Sequence, residues 1–532
     1  MQRILVADKL APQGLEILEQ AAAQGDVGFD VKTGLKTEEL RGVIGEYDAL
    51  IVRSATTVTA DILQAAAKLR VIGRAGIGVD NIDVPAATRK GVVVMNTPGG
   101  NNVTTAEHAI SMMLSVARSI PQATASMKAG KWEKNRFTGS EVCGKTLGIV
   151  GIGNIGALVA DRAQGLHMKV LAYDPFIGQE RAQQLGVELA DLDTLCARAD
   201  FVSIHVPLTP ETRNLIDADK IAKMKRSARL INCARGGIVD ELALARALDE
   251  GRLAGAAFDV FEQEPPPPDH PLIKHEKVIC TPHLGAATDE AQVNVSVGIA
   301  EQIVHFLRTS EAQNAVNYPR ISEELGKILR PYLILGEKLG ALQAQMLDGA
   351  PVELSVEYAG EIAVVDTQPV TVAILCGLLN RLMEAGSVNY VNARPIARER
   401  GIKVLESRTT QPRGYQNLVT VNVRTNKGET EVAGAVFGRD VIRLVKINNF
   451  YLEAVPEGVI LMLHNRDVPG VVGLVGTLLG KHNINIAGLQ LGREAVGGMA
   501  ISLIHVDERI PENVLQELRA GKNIVSADLL EL

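Results

Sequence analysis

The feature that most limits the possible folds of this chain is a glycine-rich run, Val150–Gly156, with the sequence V-G-I-G-N-I-G. It follows an apolar segment, Thr146–Val150, that is typical of a β-strand, and it opens a segment with helical spacing. Gly151 would permit a tight turn, Gly153 would let the backbone approach a diphosphate, and Gly156 would let helix and strand pack closely. The run therefore predicts a dinucleotide site at a helix N-terminus, where free N–H groups favour an anion.

An acidic residue follows where this interpretation needs one. Asp174 lies 23 residues after Gly151 and closes the predicted strand Lys169–Tyr173. Its carboxylate would accept hydrogen bonds from the adenosine ribose and repel a 2′-phosphate. We therefore predict that the cofactor is NAD rather than NADP.

Apolar runs alternate with amphipathic segments in two stretches, which indicates two parallel sheets with helices on both faces. The strands predicted in the first stretch are Ile4–Ala7, Ala49–Val52, Val71–Gly73 and Val92–Met95. Those predicted in the second are Thr146–Val150, Lys169–Tyr173, Phe201–His205, Arg229–Asn232, Ala256–Val260 and Val278–Thr281. A helix capped by Thr288 and ending near Arg308 would return the chain to the first sheet.

The C-terminal half has a different pattern. Residues near 320–345 are predicted to be helical, and Val352–Ala454 mixes strands and helices without a glycine-rich loop. From Val459 to Leu530 the order is β-α-β-β-α-β, which is the ferredoxin-like arrangement. The predicted fold class is α/β, with two doubly wound (Rossmann/flavodoxin-like) domains followed by an α+β intervening domain and a ferredoxin-like domain. The predicted boundaries are 1–98 plus 284–315, 99–283, 316–455 and 456–532.

Composition excludes several classes of protein. The net charge is −7 and no Lys/Arg block is present, so nucleic acid is not expected as a partner. Five scattered cysteines without a C-x-x-C motif argue against a disulfide framework and against a metal site. No apolar run reaches the roughly 18–20 residues of a membrane span, and the N-terminus resembles no targeting peptide. We therefore expect a cytoplasmic protein that does not bind membranes.

Three ionisable residues of complementary kind follow three late strands: Arg235, Glu264 and His283. Ligands meet the carboxyl ends of such strands, so these side chains are expected to converge. Oxidation of a 2-hydroxy acid needs a base for the hydroxyl proton, for which His283 is suited, and a carboxylate such as Glu264 to orient it. Arg235 would bind the substrate carboxylate and polarise the C2 oxygen. His205 also follows a strand and is the rival base.

The runs Asn232–Asp240, Asp259–Pro265 and Pro282–Ala286 resemble the signatures of the D-isomer-specific 2-hydroxyacid dehydrogenases. The resemblance covers residues 1 to about 310 and implies the same catalytic Arg, Glu and His. It also implies a set of cofactor-binding residues: Gly151, Gly153, Asn154, Ile155, Gly156, Asp174, Val206, Cys233, Ala234, Arg235, Asp259, His283, Gly285 and Ala286.

Further runs resemble the branch of this family that oxidises 3-phospho-D-glycerate to 3-phosphooxypyruvate in L-serine biosynthesis: Ile51–Ala55, Gly73–Asn81, Met95–Asn102 and Ile120–Trp132. A phosphorylated acid needs cations and free N–H groups, and the first domain offers both near its strand ends. The predicted substrate-binding residues are Arg53, Ser54, Arg74, Gly76, Ile77, Asn102, Lys134 and Arg136. The resemblance implies that Lys134 and Arg136 reach a neighbouring subunit's cleft.

The runs His464–Gly470 and Asn483–Ile486 resemble an ACT domain, which binds amino acids between paired copies. The implied effector is L-serine, with Asn465, Asp467 and Asn485 as its contacts. A purely dimerising module is the alternative. Residues 320–455 resemble the intervening domain of the longer members of the branch, where Arg394, Arg398 and Arg400 form either an anion site or a solvated helix face. The resemblance also implies two dimerising regions and hence a homotetramer.

Two other functions remain open from the sequence. One is a related dehydrogenase acting on 2-hydroxyglutarate, hydroxypyruvate or glyoxylate, and the other is a non-catalytic NAD-sensing protein. The ACT-like segment favours the phosphorylated substrate over both alternatives.

Overall fold

The computed structural model describes residues 1–318, 323–384 and 387–532, and this part of the chain forms four β-sheets. Within the described residues no helix is both long and apolar enough to cross a membrane.

The first sheet is parallel, with the strand order β2-β1-β3-β4-β5, and it confirms the first doubly wound domain. Its elements are β1 (Gln2–Val6), α1 (Pro12–Ala23), β2 (Val27–Val31), α2 (Thr37–Val43), β3 (Ala49–Val52), α3 (Ala60–Ala65), β4 (Val71–Arg74), α4 (Val84–Arg89) and β5 (Val93–Met95). A 3₁₀ turn, Ile44–Glu46, follows α2.

The second sheet is also parallel and has the order β12-β11-β10-β9-β6-β7-β8, so the direction of winding reverses between β6 and β9. Its elements are α5 (Asn102–Arg118), α6 (Ile120–Lys128), a 3₁₀ turn (Lys134–Phe137), β6 (Thr146–Val150), α7 (Asn154–Gly165), β7 (Lys169–Tyr173), α8 (Gln179–Gln184), β8 (Glu188–Leu189), α9 (Leu192–Arg198), β9 (Phe201–Ile204), α10 (Ala218–Lys223), β10 (Arg229–Asn232), α11 (Glu241–Asp249), β11 (Gly255–Phe258), α12 (Pro271–Lys274), β12 (Val278–Cys280) and α13 (Asp289–Thr309).

Helix α13 carries the chain back to the first sheet, as predicted. Thr288 caps it, since its hydroxyl accepts a hydrogen bond from the Ala291 N–H at 3.2 Å. Its buried apolar face packs against β4, and a Cβ added at Gly73 would lie only 2.7 Å from Ile299 Cγ1. The chain therefore crosses between the two doubly wound units twice, and we call the junction at which their loops face each other, at Asp80 and Arg235, the cleft.

The third sheet is mixed and has the order β14-β13-β15-β16-β17-β18, in which only β13 and β14 are parallel neighbours. Its elements are α14 (Glu323–Met346), β13 (Pro351–Gly360), a 3₁₀ turn (Glu361–Val364), α15 (Gln368–Leu382), α16 (Ala393–Glu399), β14 (Lys403–Thr409), β15 (Asn417–Thr425), β16 (Glu429–Phe437), β17 (Val441–Ile447) and β18 (Phe450–Ala454). The predicted helix near 320–345 matches α14 from residue 323, and its first positions, 320–322, lie outside the described residues.

The fourth sheet is antiparallel, with the order β20-β21-β19-β22, and it confirms the predicted ferredoxin-like arrangement. Its elements are β19 (Val459–Arg466), α17 (Val471–Lys481), β20 (Ile486–Arg493), β21 (Met499–Val506), α18 (Glu512–Arg519) and β22 (Ile524–Glu531).

The third and fourth sheets share one hydrophobic core. Ile460, Met462, Leu503 and other side chains on the inner face of the fourth sheet belong to the same buried cluster as α14 and α15. The side-chain amide of Gln345 in α14 makes two hydrogen bonds to the backbone of β22: Nε2 donates to Glu531 O at 3.1 Å, and Oε1 accepts from the Glu531 N–H at 3.0 Å. We therefore expect these two units to move together.

Candidate active site

The glycine-rich loop joins β6 to α7 at the point where the second sheet reverses direction. Gly151 has φ 90°, which favours glycine, and its N–H donates to Tyr173 O at 2.8 Å. A Cβ on Gly156 would overlap the carbonyl oxygen of Gly151, so the helix packs against the strand only with glycine there. A Cβ on Gly153 would meet nothing within 4 Å, which leaves space above that residue for a ligand. The three glycines thus have the geometry that a diphosphate site requires.

Asp174 lies beside this loop at the end of β7. One carboxylate oxygen accepts from the Ile152 N–H at 3.0 Å, and the other accepts from the Phe176 N–H at 2.9 Å. The carboxylate is therefore fixed next to Gly153, where an adenosine ribose would lie if a diphosphate occupied the loop. The residues present fit a dinucleotide with a free ribose.

The other predicted cofactor residues surround the same strand ends. Val206 lies against Gly151, and a Cβ at that glycine would be 2.6 Å from Val206 Cγ1. Cys233 is buried, which raises the pKa of its thiol, so it offers an apolar wall rather than a nucleophile. The N–H of Ala234 donates to Asn232 Oδ1 at 3.1 Å. Three further predicted residues lie at loop and helix positions facing this edge: Asn154 and Ile155 at the start of α7, and Ala286 in the exposed turn after β12.

His283 and Glu264 form a hydrogen-bonded dyad, as the sequence predicts. His283 Nδ1 lies 2.7 Å from Glu264 Oε2, and both side chains are partly exposed to the cleft. Burial alone would raise the pKa of Glu264, but hydrogen bonds from His283 and from the Phe261 N–H outweigh it and hold the pKa below its usual value. Glu264 is therefore ionised at neutral pH and can stabilise a protonated imidazole.

Asp259 organises the turn that carries His283. Its buried carboxylate accepts hydrogen bonds from the Thr281 hydroxyl at 2.6 Å, the Leu284 N–H at 2.7 Å and the Gly285 N–H at 2.8 Å. His108 of α5 lies 3.2 Å from the same carboxylate. His283 sits within this turn at φ 55°, a conformation that an ordinary side chain adopts only when its surroundings hold it there.

A close backbone approach brings Arg235 and Glu264 onto the same side of the cleft. A Cβ on Gly236 would overlap the carbonyl of Phe261. Asn232, fully buried, fixes the turn after β10 by donating from Nδ2 to Arg235 O at 2.9 Å. The loops after β10 and β11 are therefore pressed together behind the two functional side chains.

His205 does not have the surroundings of a base. Its Nε2 is 2.8 Å from Ser203 Oγ, and no carboxylate lies within 4 Å of its ring nitrogens among the described residues. Burial lowers the pKa of His205 to about 4, so its imidazole stays neutral and binds protons weakly at neutral pH. The geometry favours His283 over its rival.

Three arginines converge where the first and second sheets face each other. Burial, together with the nearby charges of Arg235 and Arg53, lowers the pKa of Arg74 to about 10. The buried Nε of Arg74 has no hydrogen-bond partner among the described residues. Arg235 Nε donates to Asp80 Oδ2 at 2.9 Å. Such a cluster of incompletely paired cations is suited to a ligand with more than one negative charge.

The other predicted substrate residues divide into two groups. Ser54 is exposed beside Arg53, and Asn102 is the first residue of α5. Gly76 departs from the prediction, because its N–H donates to Thr97 Oγ1 at 2.8 Å and is not free for a carboxylate. The Ile77 N–H has no hydrogen-bond acceptor within the part of the chain that the structure describes.

Lys134 and Arg136 are not brought into the chain's own arginine cluster. Both lie on the exposed 3₁₀ turn after α6, and Arg136 is 3.3 Å from Glu133 and 3.7 Å from Glu276. Trp132, just before this turn, is 81% exposed, so the segment presents both apolar and basic groups outward.

The predicted effector residues are engaged within the fourth unit. Asn465 is buried and donates to Arg466 O at 2.9 Å. Asp467 lies 3.2 Å from Arg493, which takes the place expected for an effector's ammonium group. Asn485 donates to Asp507 at 2.7 Å. A ligand at this site would have to displace the last two of these contacts.

The basic residues of α16 lie near the first unit. Arg394 forms an ion pair with Glu406. Arg394 and Arg398 also line an open cavity of about 760 Å³, to which Arg89 of α4 contributes. Arg400 does not line this cavity.

Two side chains that contact residues of the candidate site, Asp80 and His108, were not predicted from the sequence. The signal for Asp80 was its place in Gly76-Ile-Gly-Val-Asp80, directly after the strand that ends at Arg74. His108 has no comparable signal, because it reaches Asp259 from the middle of α5 across a sequence separation that only the folded chain closes.

Three family models match the chain. The D-isomer specific 2-hydroxyacid dehydrogenase NAD binding domain matches residues 110–285, the D-3-phosphoglycerate dehydrogenase intervening domain matches residues 328–448, and the ACT domain matches residues 459–520.

Full-length relatives agree with these models. A D-3-phosphoglycerate dehydrogenase from Synechocystis sp. is 46% identical over all of this chain and 95% of its own length. The enzymes of that name from Archaeoglobus fulgidus and Bacillus subtilis are 44% and 40% identical, with complete coverage of both chains. Among solved structures, a Thermus thermophilus protein has a TM-score of 0.55 at 33% identity and covers 59% of this chain and 100% of its own. A glyoxylate reductase from Paecilomyes thermophila has a TM-score of 0.54 at 28% identity and covers 59% of this chain and 98% of its own.

The fold and the site define a dehydrogenase of the D-isomer specific 2-hydroxyacid class, with NAD as its cofactor. Its C-terminal half contains an intervening domain and an ACT regulatory domain, and its substrate is a small molecule. The chain belongs to the D-3-phosphoglycerate dehydrogenase family.

Proposed function

We propose that this protein catalyses the NAD-dependent oxidation of 3-phospho-D-glycerate to 3-phosphooxypyruvate, the first committed step of L-serine biosynthesis. The observation that carries the proposal is the placement of the His283–Glu264 dyad at the same cleft as Arg53, Arg74 and Arg235. The dyad supplies a base for the hydroxyl proton, and the arginines match a substrate that carries both a carboxylate and a phosphate.

The dyad determines which nitrogen acts. His283 Nδ1 faces Glu264, so Nε2 is the nitrogen left to accept the proton from the C2 hydroxyl. Glu264 would then stabilise the imidazolium, and the turn fixed by Asp259 keeps the ring in place. Bound NAD supplies the hydride acceptor, and Gly151, Gly153, Gly156 and Asp174 would hold it.

The cations divide between the two ends of the substrate. Arg235 follows β10 on the cofactor side and would bind the carboxylate and the C2 oxygen. Arg74 and Arg53 lie on the first unit and would bind the phosphate. Ile77 N–H, Ser54 and Asn102 are the remaining polar groups proposed to contact the substrate.

The direct test is a comparison of acids with and without the phosphate. Purified protein and NAD would be supplied with 3-phosphoglycerate, glycerate, lactate and 2-hydroxyglutarate in turn. We expect the highest kcat/KM with 3-phosphoglycerate, because only it satisfies all three arginines. Preference for an unphosphorylated acid would contradict the proposal and favour a 2-hydroxyglutarate or glyoxylate/hydroxypyruvate enzyme, and no turnover with any acid would favour an NAD sensor.

The four sheets suggest a division of labour. We propose that residues 1–98 and 284–315 bind the substrate, that 99–283 bind NAD, and that 316–455 and 456–532 are regulatory. L-serine is the proposed effector, with Asn465, Asp467 and Asn485 at its site, and millimolar serine is expected to reduce the rate. An unchanged rate would leave the ACT domain with an assembly role only.

We also propose a homotetramer in the cytoplasm. Support for assembly comes from two exposed apolar surfaces, one around Met127 and Trp132 and the other around Leu489 and Leu491 on the edge strand β20. All five cysteines are free thiols, which is compatible with a reducing compartment. Sedimentation equilibrium would give the subunit count, and Lys134→Ala would raise KM only if this turn reaches a neighbour's cleft.

A further inference from the structure

The ion pair between Asp80 and Arg235 crosses the cleft between the first two units. Asp80 lies in the loop between β4 and α4, whereas Arg235 follows β10 of the second sheet. Their Oδ2 and Nε atoms are 2.9 Å apart. We propose that Asp80 is a positioning residue that holds the guanidinium of Arg235 so that its terminal Nη1–Nη2 edge is presented to the substrate. The inference rests on the proposed function, in which Arg235 binds the substrate carboxylate.

A count of donors shows why this contact selects one edge. A guanidinium has five N–H donors, which a carboxylate can meet either along the Nε–Nη2 side or at the Nη1–Nη2 end. In Arg235, Nε donates to Asp80, and Nη1 donates to the carbonyl of Ala234 at 2.7 Å. The three remaining donors are on Nη1 and Nη2, so a bidentate partner can bind only at the terminal edge.

Gly78 provides the space for this arrangement. A Cβ at Gly78 would overlap Nη2 of Arg235 and would lie 2.8 Å from Asp80 Oδ2. Gly76 has the same relation to the guanidinium of Arg74, which a Cβ there would overlap. The two glycines let the guanidiniums of Arg74 and Arg235 lie flat against one loop. Asp80, two residues after Gly78, accepts a hydrogen bond from Arg235.

The charge balance explains why an acid is needed at this place. Besides burial, the charges of Arg235 and Arg53 lower the pKa of Arg74, and Asp80 and Asp8 are the carboxylates that oppose this effect. Asp8 is buried, its Oδ2 accepts from the backbone N–H groups of Arg53 and Thr56, and its Oδ1 accepts from the Thr56 hydroxyl. Asp80 is therefore the counter-charge on the open side, where it limits repulsion between the guanidiniums until an anionic substrate arrives.

Exposure indicates that the contact orients Arg235 rather than stabilising the fold. The Asp80 side chain is 63% exposed and that of Arg235 is 29% exposed, so the pair is partly screened by water and salt. Its removal should leave the melting temperature almost unchanged. The orientation of Arg235 should nevertheless change, because the remaining contact of its guanidinium, to the Ala234 carbonyl, is with its own neighbour.

The test is the Asp80→Asn variant, which removes the charge and keeps the shape. We expect kcat/KM for the hydroxy acid to fall about 10- to 100-fold, as for other small misplacements of a substrate-binding group, with a raised KM. The dissociation constant for NADH and the Tm should stay at wild-type values. Asp61→Asn is the matched control, because Asp61 is an exposed acid of the same unit without an ion-pair partner among the described residues, and it should behave as wild type.

A double variant decides whether Asp80 acts through Arg235. If it does, Asp80→Asn should have little further effect on an Arg235→Lys background, since the oriented fork is already lost. Additive losses, or an Asp80→Asn variant with unchanged kcat/KM, would overturn the proposal. A lowered KM would also overturn it, because Asp80 would then be a competitor of the substrate. The measurements use the hydroxy acid that the wild type oxidises best, so failure with 3-phosphoglycerate is recognised separately.

Discussion

At the scale of single residues, the candidate site contains three carboxylates that each contact a neighbouring cation, ring or turn. Glu264 faces His283 Nδ1, Asp80 faces Arg235 Nε, and Asp259 binds the turn that carries His283. Each acid is placed where it sets the orientation of a group that would touch substrate. Substitutions that keep shape and remove charge should therefore alter rate and pH dependence before they alter folding.

Glu264→Gln tests this for the base. The variant cannot stabilise a protonated His283, so kcat should fall about 10- to 100-fold, at or below the lower end of the roughly 10²- to 10⁴-fold effect of a positioned acid–base group, because His283 itself is retained. The acidic limb of the kcat/KM profile should move to lower pH. The folded state holds the pKa of Glu264 below its usual value. The ionised Glu264 carboxylate therefore contributes fully to the stability of the wild type at any pH above the pKa of an unfolded glutamate. That contribution is lost as pH falls through the lower, folded pKa.

The Glu264→Gln variant should consequently lose less stability than wild type between these two pKa values. pH–rate profiles and denaturant melts of both proteins from neutral to acidic pH would check the two statements. An unshifted acidic limb would transfer the role of base away from His283.

Asp174 gives a second prediction at this scale, concerning the choice of cofactor. Asp174→Ala removes the carboxylate beside Gly153, so the KM for NAD should rise about tenfold, the loss expected for one charged hydrogen-bonding partner, and NADP should become a usable substrate. Steady-state kinetics with both nucleotides measure this change. A retained preference for NAD would show that another residue excludes the 2′-phosphate.

At the scale of elements, α7 and β6 are joined by a contact that only glycine permits. Gly156→Ala would push a Cβ into the Gly151 carbonyl, and the helix would have to shift away from the strand, at a cost of about 1–3 kcal/mol. NAD binding should weaken as well, since the loop moves with the helix. Gly165→Ala is the control at the end of the same helix, where an added Cβ meets nothing within 4 Å.

Calorimetry of NADH binding and thermal melts of the two variants would separate these outcomes. Gly165→Ala should bind normally and be at least as stable as wild type, because alanine favours helix. Equal losses in both variants would mean that the Gly156 contact is not the cause.

The same elements show how far sequence alone reaches. The central strands were predictable because strands such as β6 and β10 are buried on both faces and read as continuous apolar runs. The strand β2 was missed because it lies at a sheet edge and only Val27 of its five residues is buried. The strand β8 has two residues, too few for a periodic signal.

The site shows the same limit for a different reason. The placement of Arg235, Glu264 and His283 could be predicted because each follows a strand whose end faces the cleft, whereas their catalytic roles stay predictions. His108 lies on a helix whose position depends on how α5 packs, and Gly76 looked free because the sequence does not reveal that Thr97 accepts its N–H. Contacts that depend on packing between distant segments were therefore outside the reach of pattern reasoning.

At the scale of the whole molecule, the third and fourth units are packed tightly against each other, and the third unit is joined more loosely to the first. The third and fourth sheets share a core. Among the described residues, the third unit meets the first through a smaller set of contacts, which includes a hydrogen bond from Asn389 Nδ2 to Gly91 O at 2.9 Å and the burial of Val391 in the core of the first sheet. A chain that ends at residue 318 should therefore keep NAD binding and most of its stability.

A chain that ends at residue 455 should fare worse than the shorter one. It would expose the apolar surface that Ile460, Met462, Leu503 and Leu530 normally cover. Thermal melts and light scattering of both truncated proteins would test this difference. A soluble, two-state 1–455 protein with the wild-type Tm would contradict the shared core.

Because of these unequal contacts, we expect the C-terminal half to rotate against the first unit as one rigid body. The two units are held together by a common core of two sheets and the helices between them, and the hinge of this body is the contact between Gly91 and Asn389. A change in the fourth sheet would reach the catalytic cleft as a rotation of both units together rather than as a series of small side-chain shifts. This hinge lies at the end of α4, the helix that directly follows the loop bearing Asp80. Even a small rotation would therefore change the position of Asp80, which contacts Arg235.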